Sequence, residues 1–216
     1  MNMRDSHKTE AKEPKRARGK QRVADLLDAG AALIAEKGYE ATTMTEIAQR
    51  AGASIGSLYQ FFPSKEALAL GLFERYAQRA AELVDDFVEN APGLSAIRLA
   101  DLLVDMMLEL RAHRLATIAL SDSIAGIAER RHPLRNKLRV AVALTLRAAN
   151  GRLSEEQAAV AAYMIAQVLK TVQTLAAEEA ESGLPHVAEA RRMLAVYIGH
   201  VVELGMEEDR ERRAAR

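Results

Sequence analysis

The sequence predicts an all-α protein of about nine helices. Two observations carry that reading. The composition is 49% hydrophobic and 28% charged with only five prolines, and it is dominated by good helix formers. The apolar residues also recur at three- and four-residue spacing between glycine and proline breaks, with no stretch of strand-like alternation. At 216 residues the chain can bury a sizeable core in one large domain or two small ones. It has no cysteine, which excludes disulfides, thiolate chemistry and Cys-ligated zinc and suits a cytoplasmic protein. The polar N-terminus has no apolar signal-like core. The most apolar stretch, 158–177, is interrupted by Gln167, Lys170 and Gln173 and is not expected to span a membrane.

Residues 1–19 lack hydrophobic periodicity and read as a disordered basic arm. Residues 1–22 carry eight lysines and arginines against three acids, so they are either a solubilising tail or a segment that lies on a polyanion. Val23, Leu26, Leu27, Gly30 and Ile34 then mark a first helix that Lys37-Gly38 ends. Thr43 with Glu46 forms a capping-box signature for a short second helix, which stops at Ala51-Gly52. Ser54 caps a third, terminated by Pro63, and Ser64 a long fourth whose Leu72, Phe73, Tyr76, Ala80, Leu83, Val84 and Phe87 share a face. Pro92-Gly93 is the clearest break. Beyond it come helices over about 94–111, 115–130 and 133–149, then one opened by Ser154 and running to about 181, and a last one ending near Gly205.

The distinctive residues gather in one place. Three of the nine Phe and Tyr residues fall between Tyr59 and Phe62, next to Ser54, Gly56, Ser57 and Pro63. Two short helices joined at Gly52 have helix-turn-helix geometry, with Ile47, Ala48 and Leu58 inward and the start of the second helix outward. Ser54, Gly56 and Ser57 let that backbone approach a ligand closely, and free N–H groups at a helix start attract phosphate. Tyr59 can carry a hydroxyl to a phosphate and Gln60 an amide to a base edge, although Gln60 reads equally well as a solvated surface residue. Lys65 opens the next helix, placed for a second phosphate contact. Phe61 and Phe62 are expected to wedge the three helices together.

The run "GYEATTMTEIAQRAGASIGSLYQFFPSKEAL" resembles the DNA-binding signature of the TetR/AcrR family of bacterial transcriptional regulators. The matching positions are Gly38-Tyr39, Thr43, Ile47-Ala48, Ala51-Gly52, Gly56-Ser57-Leu58-Tyr59, Phe62 and Lys65-Glu66. They fall between Gly38 and Glu66, within the first third of the chain. The resemblance implies phosphate contacts by Thr43, Tyr59 and Lys65, and base-edge approach by Ser54, Ile55, Gly56, Ser57 and Gln60. It inclines Lys20 and Arg22 toward the DNA backbone as well. Phe61 departs from the family pattern, where His or Tyr is common, and removes one possible polar contact to phosphate.

The resemblance also implies a C-terminal domain that dimerises and binds a small molecule. Domain limits of 20–76 for DNA binding and 77–205 for the second domain are expected, with a charged tail over 206–216. The last two helices are apolar over a wide arc. Val160, Met164, Val168, Val172, Leu194, Ile198 and Val201 are the expected dimer surface of an intermolecular four-helix bundle, with a monomer of central helices as the alternative. Candidate pocket wall residues are Phe87, Met106, Met107, Leu110, Met164 and Gln167, with His113 and Thr171 as polar handles; any one of the apolar residues reads as ordinary core too. The five histidines show no metal-ligand spacing, no cofactor is expected, and no phosphate-binding loop, nucleophile elbow or dinucleotide turn suggests an enzyme. The expected function is a homodimeric repressor that binds a palindromic operator in double-stranded DNA and is released by a small-molecule effector. The alternative is a similar DNA-binding protein that is constitutive or answers to a protein partner.

Overall fold

The computed structural model describes residues 17–110 and 132–214, with side chains over 17–110 and 133–203. Among the described residues there are eight helices and no strand: α1 Ala17–Lys37, α2 Met44–Arg50, α3 Ile55–Phe61, α4 Lys65–Asn90, α5 Ala96–Glu109, α6 His132–Ala149, α7 Glu155–Ser182 and α8 His186–Ala214. The all-α class is as the composition predicts. The helix expected over 115–130, and with it His113, lies outside the described residues.

Local chemistry sets most of the boundaries. Thr43, Ser54, Ser95 and Ser154 are N-caps whose side chains accept from the backbone N–H three residues on. Thr43 with Glu46, and Ser154 with Gln157, complete reciprocal capping boxes. Gly183 ends α7 at φ 70°, in the left-handed region. Two ends differ from the periodicity reading. Helix α1 begins at Ala17, six residues before Val23, because Arg18, Lys20 and Gln21 are helix formers that need no apolar face. Helix α8 runs through Gly205 to Ala214, since one helical glycine costs only about 1 kcal/mol.

The chain divides into two compact units, with a boundary inside α4 between Gln78 and Arg79. The first unit holds α1, α2, α3 and the start of α4 around one core. Leu26, Ile47, Leu58, Phe62 and Leu68 are its most enclosed large side chains. Two close approaches tighten it. A Cβ on Gly30 would stand 2.8 Å from Leu68 Cδ2, and one on Gly71 would stand 3.0 Å from Phe62 Cε1. The bare Cα of Gly71 is therefore the seat of the Phe62 ring, while Phe61, only partly buried, packs at the edge of the core.

The second unit holds the rest of α4 with α5, α6, α7 and α8. Helix α7 packs on α5, α6 and α8, and α8 packs on α5, α6 and α7. Helix α7 is long and apolar enough to cross a membrane by length and composition. Its apolarity has another destination here, because Ala158, Ala161, Ala162, Ile165, Leu169 and Val172 are buried against the neighbouring helices. Three side chains tie distant stretches. Arg191 donates to the Asp101 carbonyl (3.0 Å) and to the Asp105 carboxylate, and Asn150 Nδ2 donates to the Val202 carbonyl (2.7 Å). Gln173 Nε2 donates to the Met107 carbonyl in the last turn of α5 (2.7 Å).

Candidate nucleic-acid interface

Helix α3 is too short to be stable alone and is held by its buried side. Leu58 is fully enclosed and Phe62, its C-cap, is nearly so. The opposite side is open among the described residues. Ile55 is 40% and Tyr59 50% exposed, and Gly56 and Gln60 are exposed beside them. Ile55 with Tyr59, and Gly56 with Gln60, are four residues apart, so they form two adjacent ridges on one solvent-facing surface.

Gly56 is the informative residue. Its φ is not positive, and a Cβ built on it would meet nothing within 4 Å. The turn glycines Gly38 (φ 84°) and Gly52 (φ 58°) have a backbone reason to be glycine. Gly30 and Gly71 have a packing reason. Gly56 has neither, although a glycine inside a helix is less stable than alanine by about 0.5–1 kcal/mol.

The turn before α3 is braced from outside. Arg22 Nη1 on α1 donates to the Gly52 carbonyl (3.4 Å), so this arginine supports the turn. Lys20, two residues earlier, is exposed. Ser54 Oγ accepts from the Ser57 N–H (3.2 Å) and keeps its own proton free to donate.

Thr43 caps α2 and Lys65 opens α4, and both are engaged. Thr43 Oγ1 donates to Glu46 Oε2 (2.7 Å), and the Thr43 N–H donates to the same oxygen (2.9 Å). Glu46 also pairs with Lys37 at 2.5 Å. The Lys37 hydrogen bond first, then those from Thr43, hold the Glu46 carboxyl down at about 2. Arg50 pairs with Glu36 at 2.6 Å and lowers that carboxyl too. Lys65 Nζ donates to the Glu40 carbonyl (3.2 Å) and sits 4.2 Å from the Tyr39 ring centroid. Tyr39, at the family-like Gly38-Tyr39 pair, escaped the sequence reading as a site residue; only its adjacency to the loop hinted at it.

The residues expected in the second unit separate differently. Phe87, Met106 and Leu110 are buried and Met107 and Gln167 partly so. Met164 (47% exposed) and Thr171 face outward, with Thr171 Oγ1 donating to the Val168 carbonyl (2.7 Å). Those two fall on the opposite side of α7 from the buried Ile165, Leu169 and Val172. Gln173, which the sequence reading treated only as an interruption of an apolar run, is buried, and among the described residues its Oε1 has no partner.

The residues expected at a dimer surface also divide. Val172, Leu194, Ile198 and Val201 are buried inside the unit, and Val168 is partly so. Val160 and Met164 are exposed, together with Tyr163, Met193 and Val196. The wide apolar arc is two faces, one packed on the chain's own helices and one open.

The model of bacterial regulatory proteins, tetR family, matches residues 26–72, the span from the buried face of α1 to the first turns of α4. The HTH-type transcriptional repressor KstR of Rhodococcus jostii is 34% identical over 88 residues, 41% of this chain and 40% of that protein. The fatty acid metabolism regulator protein of Bacillus subtilis is 32% identical over 75 residues, 34% of this chain and 39% of its own length. The chain thus spans about two fifths of the length of these curated relatives. A crystal structure of a TetR-family regulator from Mesorhizobium loti covers 88% of this chain and 98% of its own at a TM-score of 0.67 and 19% identity, which shows the shared fold. The helix-turn-helix unit thus matches the tetR family of bacterial regulatory proteins in sequence over residues 26–72, and the helical architecture is matched in structure.

Proposed function

We propose that the chain is a transcriptional repressor that binds a palindromic operator as a homodimer and is released by a small molecule, working in the cytoplasm and without enzymatic activity. The observation that carries the DNA-binding reading is Gly56. A helical glycine with no backbone or packing reason, on the exposed side of the second helix of a helix-turn-helix, is explained by close approach of an outside surface. The N-terminus of that helix is suited to a phosphate or base edge. Ser54, Ile55, Ser57, Tyr59 and Gln60 supply the contacts around it, with Lys20, Thr43 and Lys65 on the backbone. Arg22 acts through the turn it braces.

Dimerisation is supported by the open apolar residues Val160, Tyr163 and Met164 on α7 and Met193 and Val196 on α8, which a second copy would cover. Release by a small molecule is supported by Gln173. A buried carbonyl oxygen left unpaired costs about 1–3 kcal/mol, and a ligand with a hydrogen-bond donor would relieve that cost. Helix α4 is the covalent path for coupling, since it starts beside Lys65 and carries the buried Phe87. A coupling of about 1–3 kcal/mol changes operator affinity about 5–150-fold. Selection from random-sequence duplexes, with sedimentation of the complex, tests the reading. Enriched palindromes with half-sites about one helical turn or a multiple apart, bound by a dimer, are expected. Recovery of random sequence refutes it.

A further inference from the structure

We propose that Tyr39 is a positioning residue for DNA binding, whose ring face holds the Lys65 ammonium in place to meet a backbone phosphate. The inference rests on the DNA-binding reading above and adds a residue that does not touch the nucleic acid. The Lys65 ammonium has two anchors, the ring face at 4.2 Å and the Glu40 carbonyl at 3.2 Å. An ammonium has three N–H groups, so the single hydrogen bond to Glu40 leaves donor capacity to spare. Among the described residues no carboxylate pairs with Lys65. The neighbouring cations Lys37, Arg50 and Arg75 are all taken, by Glu46, Glu36 and Asp28. Lys65 keeps its charge available while its side chain is already confined, so little rotamer freedom remains to be lost when a phosphate arrives.

The platform itself is fixed. Gly38 turns the chain at φ 84°, the Thr42 hydroxyl donates to the Gly38 carbonyl (2.8 Å) and the Thr42 N–H to the Tyr39 carbonyl (3.1 Å). Tyr39 is buried in the core of the first unit. Its hydroxyl is buried with no partner among the described residues, so this position uses the ring and not the oxygen. Burial first, then Glu66 and Glu40, push the phenol up to about 12, which keeps the ring neutral.

The test uses the full chain and a duplex of about 30 base pairs enriched from random DNA by the wild-type protein, with affinity followed across salt by anisotropy. Tyr39→Phe should bind as wild type. Tyr39→Leu should bind about 3- to 10-fold more weakly per protomer. It should also flatten the slope of log K against log salt by up to about 0.9 per protomer, as Lys65→Ala does. In the Lys65→Ala background, Tyr39→Leu should add less than about a twofold loss. A series of increasingly fluorinated phenylalanines at position 39, which keeps ring shape and fold while draining the ring face, should weaken binding step by step. Fluorination without effect, a Tyr39→Leu loss at unchanged salt slope, or full additivity with Lys65→Ala would overturn the proposal. A wild-type protein that enriches no DNA would overturn the DNA-binding reading along with it, whereas a Lys65→Ala effect without a Tyr39 effect overturns the platform alone.

Discussion

Gly56→Ala should make the protein more stable and its DNA binding weaker. The two effects have separate origins. The Gly56 backbone is not left-handed and the space around it is open, so an added methyl group clashes with nothing in the chain. Restricting the unfolded chain at such a compatible site stabilises by about 0.4–1 kcal/mol. Because Gly56 sits in the first turn of a seven-residue helix, the lower end of that range is the expectation. The same methyl group projects from the exposed ridge that would face DNA. A helix forced back from the groove loses hydrogen bonds to base edges worth about 1–3 kcal/mol each. One lost bond per half-site lowers affinity by about 10-fold, and the two half-sites of a dimer by about 100-fold. Urea denaturation followed by circular dichroism reads the first effect, and anisotropy on selected DNA the second. A variant that is stabilised and still binds with wild-type affinity would refute the close approach. A destabilised variant would refute the claim that Gly56 has no role in the fold.

Other expectations follow from the same unit. Gly71→Ala in the wild-type background sets about 1 kcal/mol of helix propensity against a Cβ 3.0 Å from the Phe62 ring, and overpacking costs about 1–3 kcal/mol. In a Phe62→Leu background the obstacle is gone and the same change should stabilise, so a double-mutant cycle should show favourable coupling above about 0.5 kcal/mol; additivity contradicts the ring-on-glycine contact. Thr43→Ala should lose about 1 kcal/mol of stability through the cap, and Thr43→Ser should keep it, read by urea midpoints. Glu46 ordinarily titrates near 4.5 and is held at about 2 in the folded chain, so the folded state binds its proton more weakly than the unfolded state. Its contribution is present in full above about pH 4.5 and lost as pH falls through about 2. The stability difference between wild type and Glu46→Gln should therefore shrink across that window, and a difference independent of pH would contradict the Lys37–Glu46–Thr43 arrangement.

Much of the fold was legible because its signals are local. Thr43 with Glu46, Ser54, and Ser154 with Gln157 are caps that work within four residues, and Gly52 and Gly183 mark turns through their own φ. The exposed face of α3 was legible for the same reason, since Leu58 fixes which side is buried. What escaped depends on partners far along the chain. The role of Gln173 is set by Met107, 66 residues away, and that of Lys65 by Glu40, 25 residues away. Arg22 carries a charge suited to phosphate, yet the 30-residue contact to Gly52 decides what it does. The apolar arc of α7 and α8 was read as one surface because periodicity reports which residues are apolar and not which neighbour covers them. Packing then enclosed Val172, Leu194, Ile198 and Val201 and left Val160 and Met164 open.

The central claim is that the exposed face of α3 reads DNA, and Tyr59 tests it most directly because half of its surface is open. The measurement is anisotropy of wild type and Tyr59→Ala on a selected duplex and on its scrambled counterpart, at salt from about 50 to 200 mM. The account predicts preferential binding to the selected duplex that weakens steeply with salt and collapses in Tyr59→Ala, with the variant's unfolding midpoint unchanged. Equal affinity of wild type for both duplexes, or a Tyr59→Ala protein that still distinguishes them at full strength, would contradict it.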